Sequence, residues 1–349
     1  MRTAVSPAGR LRWWLTVVVL AAVVLGYAVW TSSRWWGGDT SPAPDAGGMS
    51  PRGADACVVA TVRGMDLERR VGQLLMVGVP VGDIGAGAAV VSRYRVGGVF
   101  LRGRGNVSSA VVAARLDALQ RTAVTAGGIR LHVAVDQEGG RVQTLRGPDF
   151  PSLPTAVEQG RWPVAVLARE TGDHGHRLRR AGVTLDLAPV ADTVPAGTEA
   201  ANPPIGALDR QYGADAGAVG EDVATVVAAL QSAGVLATLK HFPGLGRMRA
   251  DPDHAAAAVD PATTAGDPSL VPFRRGIAAD AGAVMIASAR YPRLDRGNPA
   301  VFSPAVITGL LRRDLGYRGL VVSDDLGQAG ATSVLASKRR AGLLACPSS

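Results

Sequence analysis

Apolar positions along this 349-residue chain come in runs of two lengths. One run is long. Residues 13–30, WWLTVVVLAAVVLGYAVW, are 18 residues without a charge, about the shortest stretch that crosses a bilayer core. Trp13, Trp14, Trp30, Trp35 and Trp36 bracket it, as aromatics do at membrane interfaces. The other runs are short and recur from about residue 57 onward. Gly72–Val79, Val96–Leu101, Leu131–Asp136, Val183–Pro189, Gly234–Thr238 with its continuation to Lys240, Ala283–Ala287 and Gly319–Ser323 are strand candidates. Between them, Met65–Val71 has the look of a helix opening, and residues 107–126, Val166–Arg180 and Ala214–Ala233 carry helical spacing.

Short apolar strands alternating with helices predict parallel βαβ units. Seven or eight such units in about 290 residues predict an α/β fold of the TIM (β/α)8-barrel type. A doubly wound sheet is the alternative. It usually carries a Gly-rich dinucleotide loop after its first strand, and Val79-Pro80-Val81-Gly82 is not one.

Composition sharpens this division. A hydrophobic fraction of 47% can fill a sizeable core, and 44 Gly with 22 Pro imply many short connections. The formal charge is +8, and Arg2, Arg10, Arg12 and Arg34 supply half of it before any acid appears. No Lys/Arg run of the kind that binds nucleic acid is present. Arg10 and Arg12 precede the long apolar run, so residues 1–12 are expected to stay cytoplasmic and 13–30 to form a single-pass membrane anchor. The competing reading is a cleaved signal peptide and a secreted domain. No convincing small-x-small site directly follows the run, and no Cys lies near its end for lipid attachment. Residues 37–56 are mostly Gly, Ser, Pro, Ala and Asp, a linker composition. Residues 31–56 are therefore expected to be a disordered linker, and 57–349 a folded domain on the outer face of the cell membrane. Outside the cytoplasm Cys57 and Cys346 could pair; two unpaired thiols are the other reading. No Cys/His cluster has metal-ligand spacing, and no metal or cofactor is expected.

The chemistry gathers at strand ends. The third strand ends in Asp136-Gln137-Glu138-Gly139-Gly140-Arg141, the fourth runs on to Asp192, the fifth ends in Lys240-His241, and the seventh in Ser323-Asp324-Asp325. An Asp after a strand can simply cap the next helix, and Asp325 before Leu326 suits that role. Four strand ends carrying acids or bases on one barrel face exceed what capping requires. Such convergence is how this fold builds an active site.

DQEGGRVQ, LAPVAD, NPPIG with Arg210, KHFPGLG and VVSDDL, taken in order and spacing, resemble the catalytic barrel of glycoside hydrolase family 3. Within it, the chain is most similar to the single-domain β-N-acetylhexosaminidase type, from about residue 64 to 330. The resemblance implies a retaining mechanism with a carboxylate nucleophile and a covalent glycosyl-enzyme intermediate. The nucleophile falls on Asp324, and sugar binding on Asp136, Arg210, Lys240 and His241. Asp192 is assigned to supporting the site and Glu138 to structure. The implied substrate is terminal β-linked N-acetylglucosamine on peptidoglycan-derived or chitin-type oligosaccharides.

The chain departs from the family pattern in several places. The family's Asp-Ser-His loop supplies an Asp–His dyad as general acid/base. Here the aligned residues are Asp251, Pro252 and Asp253, with His254 one position late. Two arrangements follow for this loop: Asp251 polarising His254, or Asp253 acting directly as a carboxylic acid. The family's second motif histidine is Leu245, and an Arg often found after DQEGGR is Thr144. Beyond Gly330 only ATSVLASKRRAGLLACPSS remains, so the last β/α unit is expected to be shortened, with Ala341–Cys346 in place of strand eight. Intact Asp324 favours an enzyme. The altered loop and short tail favour a degenerate, membrane-tethered glycan-binding barrel, and a β-glucosidase of the same family is a further alternative.

Overall fold

The computed structural model of the protein describes residues 51–255, 258–327 and 330. The chain divides into two compact units between Gly64 and Met65. In the first, Pro51–Arg63 forms a helix. Residues 51–56, the last six of the expected linker, therefore open a helix. Cys57 is exposed on it, and Cys346 lies outside the described residues. The expected basic segment 1–12 and membrane span 13–30 also lie outside them. No helix among the described residues is long and apolar enough to cross a membrane.

The second unit is built on seven parallel strands: β1 (Met76–Pro80), β2 (Gly98–Arg102), β3 (His132–Val135), β4 (Leu185–Asp186), β5 (Leu236–Phe242), β6 (Ala283–Ile286) and β7 (Leu320–Ser323). They pair in chain order from β1 to β7, all in parallel register. Parallel neighbours need crossover connections, and the helices Ser109–Gly127, Val164–Arg180, Ala216–Ser232 and Val271–Ala278 supply four of them. Helix starts follow local chemistry. Ser108 Oγ accepts from the Val111 N–H and Asp215 Oδ1 from the Ala218 N–H, satisfying donors that the first helical turn leaves unpaired.

The sheet curls. Met76, Phe100, Ala134, Leu185, Leu236, Met285 and Val322, one from each strand, belong to a single apolar cluster. Strands lie about 4.8 Å apart, so a flat sheet of seven would hold its edges roughly 29 Å from each other. One shared cluster requires the sheet to wrap around it. The alternate residues face outward, as the strand period of two demands. Val99, Leu101, Val133 and Val135 pack with Leu116 and Leu119 of the helix Ser109–Gly127. Ala237, Leu239, Val284 and Ile286 pack with Val223, Val227 and Leu230 of the helix Ala216–Ser232.

This is the curled parallel sheet of a barrel-type α/β fold. Among the described residues β1 and β7 are its two edges, and the expected strand at 341–346 lies outside them. Some boundaries differ from the sequence reading. Gly72 and Gln73, expected in the first strand, end the helix Leu67–Gln73, which Asp66 caps. Gly72 lies so close to the Tyr94 carbonyl that no side chain fits there. The fourth strand keeps only two ladder residues. Several helical segments have no counterpart in the sequence pattern, among them Pro51–Arg63, Ala88–Tyr94 and Ala156–Gln159, and two more carry a visible reason. Val271–Ala278 contains Pro272 and Gly276, and Ala305–Asp314 is π-helical, which breaks the usual period.

Candidate active site

The site is built around a register shift in β5. Val284 of β6 stands opposite Leu239, but Ile286 stands opposite Phe242. Three residues of β6, 284–286, thus stand beside four of β5, 239–242. Leu239 and Phe242 both turn outward into the helix-side core. The extra residue therefore lets neighbours Lys240 and His241 serve the same side, where regular alternation would separate them.

Lys240 is the centre of a buried charge cluster. Its Nζ lies 2.7 Å from Asp136 Oδ1 and 2.6 Å from Glu138 Oε1. Its side chain is 2% exposed, whereas that of Asp136 is 28% exposed and faces the open end of the sheet. Arg210 grips the other side of Glu138, with Nε donating to Oε2 at 2.9 Å and Nη2 to Oε1 at 2.7 Å. Its Nη1 donates to the Pro204 carbonyl of the NPPIG segment. Burial works to raise the Glu138 carboxyl, but Arg210 and Lys240 outweigh it and bring it down to about 2. Glu138 is thus a fixed anion that holds two cations. Burial also works against the Lys240 charge, and Asp136 and Glu138 outweigh it, so the ammonium is held above its ordinary range.

Glycines give Glu138 its place. Gln137–Gly139 pairs with Val142–Gln143 in a short antiparallel ribbon. Gly139 has φ 102 and Gly140 φ 53, in the region that disfavours side chains. Thr144, where the family often carries Arg, is buried; its N–H donates to the Asp136 carbonyl.

His241 is held from behind. Its Nδ1 lies 2.8 Å from Asp192 Oδ2, and its Nε2 lies 3.5 Å from Arg210 Nη2. Asp192 is fully buried and also accepts from the backbone N–H groups of His241 and Leu245. It supports the site and does not line it. Leu245, at the family's second histidine, packs in the core. Asn202 Nδ2 donates to the carbonyls of both Leu245 and Met248, and the buried Tyr291 hydroxyl donates to the Gly244 carbonyl. Gly246 lies directly against the Thr193 carbonyl. Four contacts thus clamp the loop that follows β5.

The loop then brings Asp251, Asp253 and His254 to the same end of the sheet, with unequal results. Asp251 Oδ1 accepts from the Asp253 N–H at 3.0 Å, and the Asp251 carbonyl from the N–H groups of His254 and Ala255. This turn leaves His254 exposed and Asp253 half-buried. Burial, then the charges of Asp324 and Asp251, push the Asp253 carboxyl up to about 6, against the pull of His241 and His254. Asp324, at the end of β7, is half-buried; its N–H donates to the Ile286 carbonyl and its Oδ1 accepts from the Asp325 N–H. Asp325 is exposed, and its Oδ1 accepts from the Gly327 N–H.

Asp186 is the site-proximal group that sequence reasoning passed over. It is 1% exposed on β4, and its Oδ1 accepts from the Gln137 N–H at 3.2 Å. Burial pushes it up to about 8; Asp136 and Glu138 add to that push, and Lys240 and the Gln137 N–H oppose it. The available signal was a lone acid inside the apolar run VTLDLAP. Among the described residues, no group of three or more His, Cys, Asp or Glu side chains could hold a metal ion.

Comparison with known proteins follows the same motifs. The model of the glycosyl hydrolase family 3 N terminal domain matches residues 66–346. The chain is 34% identical over 271 residues to beta-hexosaminidase LpqI of Mycobacterium tuberculosis, covering 76% of this chain and 66% of that protein. It is 38% identical over 212 residues to a beta-hexosaminidase of Stenotrophomonas maltophilia, covering 58% of this chain and 60% of the relative. The chain thus spans just under two thirds of the length of these curated relatives. The crystal structure of beta-N-acetylhexosaminidase from Beutenbergia cavernae superposes with a TM-score of 0.78 at 41% identity, covering 80% of this chain and 84% of that one.

Two predictions test this geometry. An added Cβ at Gly246 would run into the Thr193 carbonyl, and overpacking of this kind costs about 1–3 kcal/mol. Gly246→Ala should therefore lower the melting temperature measurably in calorimetry; an unchanged value would mean the loop is not clamped there. The second concerns Asp186, whose folded carboxyl is raised from 3.8 to about 8. A raised acid contributes stability that is fully present below its unfolded value and is lost as pH rises through the folded one. Asp186→Asn has no such proton to keep. The melting temperature of the variant minus that of the parent should climb between about pH 4 and 8. A difference that stays flat with pH would mean that Asp186 ionises as an ordinary surface carboxyl does.

Proposed function

The chain belongs to the glycosyl hydrolase family 3 N-terminal domain, and from that premise we propose that it is a glycoside hydrolase that removes terminal β-linked N-acetylhexosamine, with Asp324 as nucleophile. The observation that carries this is the sorting of carboxylates at the sheet's open end. Asp136, Glu138 and Asp192 are each committed to Lys240, Arg210 or His241. Asp324 has no ion pair among the described residues, and its carboxylate is held by one backbone N–H. An unpaired carboxylate on a rigid strand end is suited to attack an anomeric carbon.

The other groups suit the sugar. Asp136 turns a partly exposed carboxylate to the open end and can accept from sugar hydroxyls. Arg210, Lys240 and His241 present donors beside it, and charged donors make the stronger hydrogen bonds. Two relatives are named beta-hexosaminidase and the Beutenbergia cavernae structure is of a beta-N-acetylhexosaminidase, which supports a terminal N-acetylhexosamine as the sugar; N-acetylglucosamine on cell-wall or chitin-type oligosaccharides is the substrate class proposed within that. The proposed setting is the outer face of the membrane, with residues 13–30 as anchor.

Asp324→Asn tests the nucleophile. A carboxamide cannot form the glycosyl ester, so turnover of an aryl β-N-acetylglucosaminide should fall by several orders of magnitude while the melting temperature stays near that of the parent. Activity within a few-fold of the parent would reject the assignment. A parent that cleaves an aryl β-glucoside faster would move the substrate class to glucosides, and one that binds chitin oligosaccharides without cleaving them would make it a binding module. For the setting, protease added to intact spheroplasts should release the domain by cutting between Thr31 and Ser50. Protection until lysis would place it on the inner side.

A further inference from the structure

The turn at 251–255 separates two residues that the family motif would place in one role. One oxygen of the Asp251 carboxylate, Oδ1, accepts from the Asp253 N–H, and the His254 ring has no hydrogen bond to Asp251 or to any other described residue. Polarisation of His254 by Asp251 is therefore not assembled. The His254 side chain is exposed. Asp253 behaves in the opposite way. Its Oδ1 is buried with no hydrogen-bond partner among the described residues, and its carbonyl accepts from the Gly330 N–H at 2.9 Å. Gly330 packs on this turn so closely that an added Cβ would lie 3.0 Å from the His254 carbonyl carbon and 3.2 Å from Asp253 O.

Resting on the glycosidase reading above, we infer that the Asp253 carboxyl itself is the general acid/base of this site, working opposite Asp324, with His254 outside the chemistry. In the first step Asp253 gives its proton to the departing glycosidic oxygen as the C1–O bond breaks and Asp324 forms an ester to C1. The products are the free alcohol, the glycosyl ester and the Asp253 carboxylate. In the second step that carboxylate takes a proton from water, the water oxygen bonds to C1, and the ester bond returns its electron pair to Asp324. Both side chains end as they began.

The surroundings leave few other candidates. Glu138 and Asp136 are tied to Lys240, Asp192 is enclosed behind His241, and Asp186 is sealed on β4. The groups whose charge reaches Asp253 are Asp324 and Asp251, which favour its protonated form, and His241 and His254, which oppose it. Burial is the largest influence, and the carboxyl titrates at about 6, where a carboxylic acid is still available near neutral pH. Because the Asp324 charge is one of the forces holding the proton on Asp253, esterification of Asp324 removes that force. Asp253 then becomes a stronger acid at the moment its carboxylate is needed as a base.

The test is the dependence of kcat/KM on leaving group, measured on the full chain with 2,4-dinitrophenyl, 4-nitrophenyl and phenyl β-N-acetylglucosaminides. General acid catalysis is worth about 10²- to 10⁴-fold. Asp253→Ala and the near-isosteric Asp253→Asn should lose about that much on the phenyl substrate and only a few-fold on the dinitrophenyl one. Added azide should speed turnover of the dinitrophenyl substrate by Asp253→Ala and yield the β-glycosyl azide, because a small anion needs no general base. His254→Ala should keep the parent's leaving-group dependence. If the parent cleaves all three and the Asp253 variants keep its slope, or if His254→Ala steepens the slope instead, Asp253 is not the acid/base. A parent inert toward all three substrates overturns the glycosidase reading, and this inference with it.

Discussion

The site depends on one electrostatic arrangement: two cations, Lys240 and Arg210, closed around the buried Glu138 carboxylate, with Asp136 as the second anion. Four charges on three separate segments sum to zero within hydrogen-bonding distance. Neutrality is what makes the burial tolerable, since an isolated charge out of water costs far more than its neighbours could restore. Removing one partner of such a pair typically costs about 3–5 kcal/mol. The cluster therefore ties the end of β3, the NPPIG segment and the end of β5 to one geometry, and Asp136 inherits a fixed orientation from it.

The second constraint is steric. The chain after β5 must pass under Thr193 and Tyr291 and be held by Asn202 before it can present its acidic turn. Gly246 is the point where the backbone comes closest. Leu245 takes up the core volume there, and Asp192 satisfies its N–H. The loop is thus supported by groups that never face the open end of the sheet, which leaves its tip to carry chemistry.

Three carboxyls, Glu138, Asp186 and Asp253, end in three different states because their neighbours differ. Glu138 is drawn down to about 2 by two cations that overcome its burial. Asp186, with burial and two nearby anions against it, is pushed up to about 8. Asp253, half-buried and beside Asp324, falls between them at about 6. Burial disfavours charge in all three, and the partner decides whether that preference is reversed.

The amino-acid sequence was enough to place the apolar strands, their parallel alternation with helices, and the acids and bases at the strand ends, because these follow from residue period and local breaking signals. It also carried the ordered motifs from DQEGGR to VVSDDL. What it could not contain is anything set by register or by through-space neighbours. Alternation would send Lys240 and His241 to opposite faces, and only the extra residue opposite β6 brings them together. Spacing placed His254 one position from its expected role, and only the turn made by Asp251 decided that Asp253 points inward while His254 meets solvent. Asp186 looked like one polar residue in a strand, and its protonation was decided first by the burial that folding imposes on it, with Asp136 and Glu138, 50 and 48 positions earlier in the chain, adding to the push. Local pattern is encoded residue by residue; the state of a side chain is decided by what the fold packs against it.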